Sequence, residues 1–120
     1  MNEVKSVEDL EVFKKSHALT LKIYKITAGF PGAEKYALVD QIRRAASSIG
    51  ANLFEGSYRT GTKEFGYFTS VARGSAGELK YFMMLAKDLG YITTEIYQET
   101  TNELDEISRM LYGLIKSLKK

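Results

Sequence analysis

The chain has 120 residues, enough for one domain with a core of its own that needs no crosslink to hold it. It contains no cysteine and a single histidine, His17, which excludes disulfides, thiolate catalysis and sulfur-ligated metals and leaves triad or metal chemistry without its usual groups. Seventeen Lys and Arg stand against fifteen Asp and Glu, a net charge of only +2, so any affinity for nucleic acid has to come from clustered charge.

No apolar run approaches the roughly 20 residues that span a bilayer, and Met1-Asn2-Glu3-Val4-Lys5 lacks the apolar centre of a signal peptide, so a cytoplasmic protein with no membrane contact is expected. Pro31, the glycines at 56 and 61, and Gly90 divide the chain into four helical segments. These run from Val7 to Thr27, Ala33 to Ser57, Thr62 to Leu89 and Thr94 to Leu118. No strand-like alternation competes, and the short connections make successive helices antiparallel neighbours. The prediction is a single all-α domain over residues 1–120, an antiparallel up-and-down four-helix bundle.

The first segment has two apolar stripes. Leu10, Phe13, His17, Leu21 and Tyr24 form one; Val12, Leu19, Ile23 and Ile26 form the other. Charge is confined to Glu11, Lys14, Lys15, Lys22 and Lys25, which leaves a weakly polar arc of roughly 200°, about twice what one core-facing helix requires. One stripe is therefore expected inside the bundle and the other against another subunit, with Val12, Leu19, Ile23 and Ile26 assigned to that interface; the alternative is a helix buried more deeply in its own monomer.

In the second segment Leu38, Ile42, Ala45, Ala46, Ile49 and Leu53 share one face. Beside it run Gln41, Arg44, Ser48, Asn52 and Glu55, which need partners wherever they are buried. The third segment offers a core stripe of Phe65, Phe68, Ala72, Ser75, Leu79, Phe82 and Ala86, with Glu78 at its margin. Arg44 or Arg43 is the natural donor to Glu78, so Arg44, Ser48, Asn52, Glu55 and Glu78 are expected to form a buried or half-buried network that fixes helix register. Gly74 and Gly77, each less favourable than Ala by roughly 1 kcal/mol in a helix, suggest close approach of another helix. Arg73, Lys80 and Lys87 recur every seven residues on the exposed side of the same segment, and Arg59 and Lys63 add charge near its start. At the helix starts, Thr62 with Glu64 and Thr94 with Glu95 suit the free amides and the dipole.

Several of these residues also carry a resemblance. Leu10-Glu11-Val12-Phe13-Lys14-Lys15, Ile23-Tyr24, Phe30-Pro31 and Glu34-Lys35-Tyr36 are followed by Gln41-Ile42-Arg43-Arg44-Ala45-Ala46-Ser47-Ser48-Ile49, Asn52-Leu53-Phe54-Glu55-Gly56, Ala72-Arg73-Gly74-Ser75 and Glu78-Leu79. Over nearly its whole length the chain resembles the four-helix-bundle proteins encoded by intervening sequences within bacterial large-subunit ribosomal RNA genes, often labelled ribosomal-protein-like. It departs from them at Leu53-Phe54, where Ile-Ala is commoner, and at Phe13, where Trp is commoner. The resemblance implies a bundle that assembles as a homopentameric ring. It also implies kinship with the accessory variability determinant of diversity-generating retroelements, a similar pentameric bundle that binds nucleic acid and partners a reverse transcriptase.

Two non-enzymatic functions follow. In the first, an oligomer binds RNA or DNA through backbone phosphates with Arg59, Lys63, Arg73, Lys80 and Lys87, since a stripe repeated around a ring becomes a basic track. In the second, the oligomer is a protein-interaction scaffold without nucleic-acid binding. No catalytic, cofactor or metal site is implied: His17 sits on an apolar stripe as a packed residue would, and Glu103, Asp105 and Glu106 diverge around their helix.

Overall fold

The computed structural model describes residues 6–119, an all-helical bundle measuring 46 × 25 × 22 Å. Helices α1 (Glu11–Thr27), α2 (Leu38–Ser57), α3 (Thr62–Asp88) and α4 (Thr94–Leu118) run up and down in chain order. Each packs on its neighbours in sequence, α1 also meets α4, and the diagonal pairs α1–α3 and α2–α4 stay apart. Among the described residues no helix is long and apolar enough to cross a membrane.

The first two helices start later than the sequence predicts, for local reasons. Val7–Asp9 form a separate 3-10 turn in which the Ser6 amide donates to the Asp9 carboxylate at 3.3 Å. Leu10 is then extended (φ −71°, ψ 131°), which lets Val7 turn back into the core. Before α2, Pro31 leads into a second 3-10 turn, Gly32–Glu34. The Glu34 carboxylate accepts from the Tyr91 hydroxyl at 2.7 Å and from the Leu38 amide at 3.4 Å. One side chain thus caps α2 and ties its entry to the loop between α3 and α4, where the Tyr91 ring also packs on Phe30. This hydrogen bond, with burial and the nearby charge adding to it, holds the Tyr91 phenol above its ordinary pKa.

The later boundaries follow the punctuation. Gly90 takes φ 81°, and behind it the Gly90 and Tyr91 amides close on the Lys87 and Ala86 carbonyls at 2.9 Å each, the pattern that ends a helix in a left-handed residue. At the start of α4 the capping residue is Thr93, whose hydroxyl oxygen accepts from the Ile96 amide at 3.1 Å; the sequence reading put this role on Thr94. Helix α3 starts behind Gly61 (φ 98°) with no side-chain cap.

The core corrects the assignment of the two α1 stripes. Val12, Leu19 and Ile23, expected at a subunit interface, lie inside the chain's own bundle at 5%, 1% and 0% exposure, and Ile26 is partly buried against the same core. They belong to one core with Ile42, Ala46, Ile49 and Leu53 of α2, Ala72, Ala76, Leu79 and Met83 of α3, and Leu104, Ile107 and Leu111 of α4. The reason is that Ser16 and Thr27 sit on the buried stripe yet satisfy themselves. The Ser16 hydroxyl donates to the Val12 carbonyl at 2.7 Å and the Thr27 hydroxyl to the Ile23 carbonyl at 2.8 Å, so neither side chain brings an unmet polar group into the core. In α3 the centre of the stripe is rotated by one position, with Ala76 and Met83 fully buried and Phe65, Phe68, Ser75 and Phe82 at its edges.

Candidate interaction faces

The expected polar network on α2 separates into three pieces. Asn52 donates to the Ser48 carbonyl at 2.8 Å and to the Ser48 hydroxyl at 2.9 Å, and Ser48 shares a 2.7 Å hydrogen bond with Ser75 of α3. This half-buried chain does link α2 to α3. Arg44 is exposed and pairs with Asp40 one turn earlier at 2.9 Å, while Glu55 pairs with Arg59 at 2.8 Å. Glu78 is exposed and has no ion pair or hydrogen bond among the described residues. The predicted Arg44–Glu78 pair is thus corrected: a helix-local partner is already within reach of Arg44, and Glu78 stays exposed to solvent. Arg43, the other proposed donor, donates instead to the Thr27 hydroxyl at 2.9 Å and the Tyr24 carbonyl at 3.1 Å, with its guanidinium over the Tyr24 ring. Accordingly Glu78→Ala changes stability by less than about 0.5 kcal/mol, and an Arg44→Ala, Glu78→Ala double variant is additive in thermal melts.

The cations assigned to phosphate binding are mostly engaged within the chain. Arg73 donates to the Ser108 carbonyl at 3.1 Å and lies over the Tyr112 ring. Lys80 pairs with Asp105 at 2.8 Å, and Lys87 lies over the Tyr97 ring and beside Asp88. The heptad row is therefore the seam between α3 and α4 rather than a free stripe. Arg59 sits between Glu55 and Glu64, and Lys63 alone of the five stands exposed without a partner among the described residues.

Helix α4 supplies acids to both neighbours. Asp105 faces Lys80 of α3, whereas Glu99, Glu103 and Glu106 face α1. Lys22 donates to Glu103 at 2.8 Å and also to Glu99, and these hydrogen bonds, Glu103 first, hold its ammonium above the ordinary lysine pKa. Among the described residues no three His, Asp or Glu side chains converge as metal ligands would.

Two apolar surfaces also remain open to solvent. The α1 stripe of His17, Leu21 and Tyr24 faces outward, with Leu21 54% and Tyr24 42% exposed and Phe13 half-buried at its end. His17, read from sequence as a packed residue, is exposed and stacks on the Phe13 ring with centroids 5.8 Å apart. Phe13 in turn lies over Gly50, where an added Cβ would come within 3.2 Å of it. The α1–α2 groove they line, floored by Gly50, Ala51 and Phe54, measures about 520 Å³. On α3 the expectation of a tightly packed neighbour at Gly74 and Gly77 is not met within the chain, since an added Cβ at either meets nothing within 4 Å. A second groove, between the start of α3 and the end of α4, went unread in the sequence; the four-residue spacing of Gly66, Ser70 and Gly74 was its signal.

Comparison with known proteins agrees with this architecture. The model of a family described as 23S rRNA-intervening sequence protein matches residues 8–113. A crystal structure of a protein of unknown function from the S23 ribosomal protein family of Bacteroides thetaiotaomicron superimposes with a TM-score of 0.78 at 30% identity, covering 88% of this chain and 98% of that one. No curated protein matches the chain.

Proposed function

Because this chain belongs to the 23S rRNA-intervening sequence protein family, whose name specifies no chemistry, we propose from its geometry that it is a non-enzymatic, self-assembling scaffold. The observation that carries this is the outward aromatic stripe of α1. Phe13, His17, Leu21 and Tyr24 line a helix whose opposite face is already committed to the core, so they are available to a second copy. The ring of five drawn from the sequence resemblance is the assembly we propose. Size exclusion with light scattering then gives about five times the subunit mass, and a Leu21→Asp, Tyr24→Asp variant gives a folded monomer, because each new carboxylate would be desolvated against apolar surface. A monodisperse native monomer at micromolar concentration rules the proposal out.

Binding of RNA or DNA phosphates by the same assembly is the second reading, and it has weaker support. Of Arg59, Lys63, Arg73, Lys80 and Lys87, only Lys63 is free of a partner among the described residues. An anisotropy titration of the oligomer with ribosomal RNA at two salt concentrations discriminates the readings. The scaffold predicts weak binding with a shallow salt slope; a steep linear fall of log affinity with log salt favours the phosphate track.

A further inference from the structure

We propose that the groove between the start of α3 and the end of α4 is a docking site for an acidic amphipathic helix of a partner protein. This goes beyond the assembly proposed above, and different residues carry it.

The groove measures about 650 Å³ and has an apolar floor. Tyr67 is 64% exposed on one wall, and Ile115 and Leu118 are half-buried on the other. Between them the α3 backbone is nearly bare: a Cβ added at Gly66 would approach only Leu118, at 3.9 Å. From Thr62 to Ser70 the wall rises about 12 Å at 1.5 Å per residue, roughly two helical turns. A floor of that length matches the apolar ridge of one docked helix, whose anchors recur at i, i+3 or i+4 and i+7.

Charge specifies the partner's flanks. Among the described residues no carboxylate lines the groove, and its two cations, Lys63 and Lys119, are exposed and have no ion pair. Elsewhere the lysines facing α4 are neutralised by it, as Lys15, Lys22 and Lys80 are. Glutamate or aspartate at the partner's edge meets this need. A nucleic-acid backbone would use the lysines but leave Tyr67, Ile115 and Leu118 wet. A second copy offers its α1 ridge, whose Tyr24 end brings Lys25 and Arg43 and so opposes like charge to this rim.

The test uses a fluorescein-labelled helical peptide of about 16 residues with a leucine ridge flanked by glutamates, and a twin with lysines in their place. Anisotropy against the intact oligomer is expected to show saturable binding of the glutamate peptide only. Gly66→Leu fills the floor and, since leucine is the better helix former, retains the fold; it weakens binding by on the order of tenfold. The Lys63→Glu, Lys119→Glu variant weakens it similarly and takes up the lysine peptide instead. Failure of the glutamate peptide to saturate below about millimolar, equal binding of both peptides, or displacement of the peptide by a ribosomal RNA fragment overturns the proposal. So does dissociation of the oligomer by Gly66→Leu, which would give the groove to a second copy.

Discussion

Ile23→Asp abolishes folding of the subunit, observed as loss of the helical circular dichroism signal and of a cooperative thermal transition. Ile23 is fully buried in the core of the bundle. Losing a buried aliphatic side chain costs about 2–5 kcal/mol. Carrying an unpaired carboxylate into the same place adds several more, or forces it to protonate. Together these approach the whole stability of a domain this size, about 5–15 kcal/mol. Leu21→Asp, two residues earlier and more than half exposed, leaves the fold intact and acts on assembly. The pair separates the two stripes. Had Ile23 faced another subunit, Ile23→Asp would yield a well-folded monomer with an ordinary melting transition, and that outcome would exchange the inner and outer faces of α1.

Substitutions at two glycines change stability in opposite directions. An alanine Cβ at Gly56 lands 2.9 Å from the Phe68 Cβ, 3.0 Å from the Phe65 ring and 3.3 Å from the Phe65 Cα. Two of those atoms are on or next to the α3 backbone, so no side-chain rotation relieves the contact, and α2 must move away from α3 beside the turn that joins them. Overpacking of this kind costs about 1–3 kcal/mol and outweighs the gain of up to ~1 kcal/mol in helix propensity. Gly56→Ala is therefore destabilising, and Gly56→Val more so because its branched side chain has still less room. At Gly74 an added Cβ meets nothing within 4 Å, so Gly74→Ala keeps only the propensity gain and is stabilising by up to ~1 kcal/mol. Urea midpoints at unchanged slope measure both effects. A stabilised Gly56→Ala, or a destabilised Gly74→Ala, would contradict the packing described.

The sequence by itself determined the four helices and most of their limits. Those signals are local: Gly61 and Gly90 take backbone angles that other residues avoid, and the Leu38-to-Leu53 stripe repeats with helical period over a length no strand would have. It also placed Ser48 and Asn52 in a polar contact, because half-buried amides and hydroxyls must find partners. Only the tertiary structure decided which α1 stripe is inside. Both are apolar, and Ser16 and Thr27 make the buried one look more polar than it behaves, since their hydroxyls bond to carbonyls of their own helix. The tertiary structure likewise decided the state of the charges. A basic row at heptad spacing looks the same in sequence whether it is free or bound, and the groups that engage Arg73 and Lys80, at Ser108 and Asp105, lie 35 and 25 residues away. Periodicity fixes which way a side chain leaves its own helix, but the neighbour it meets is fixed by how four helices share one core.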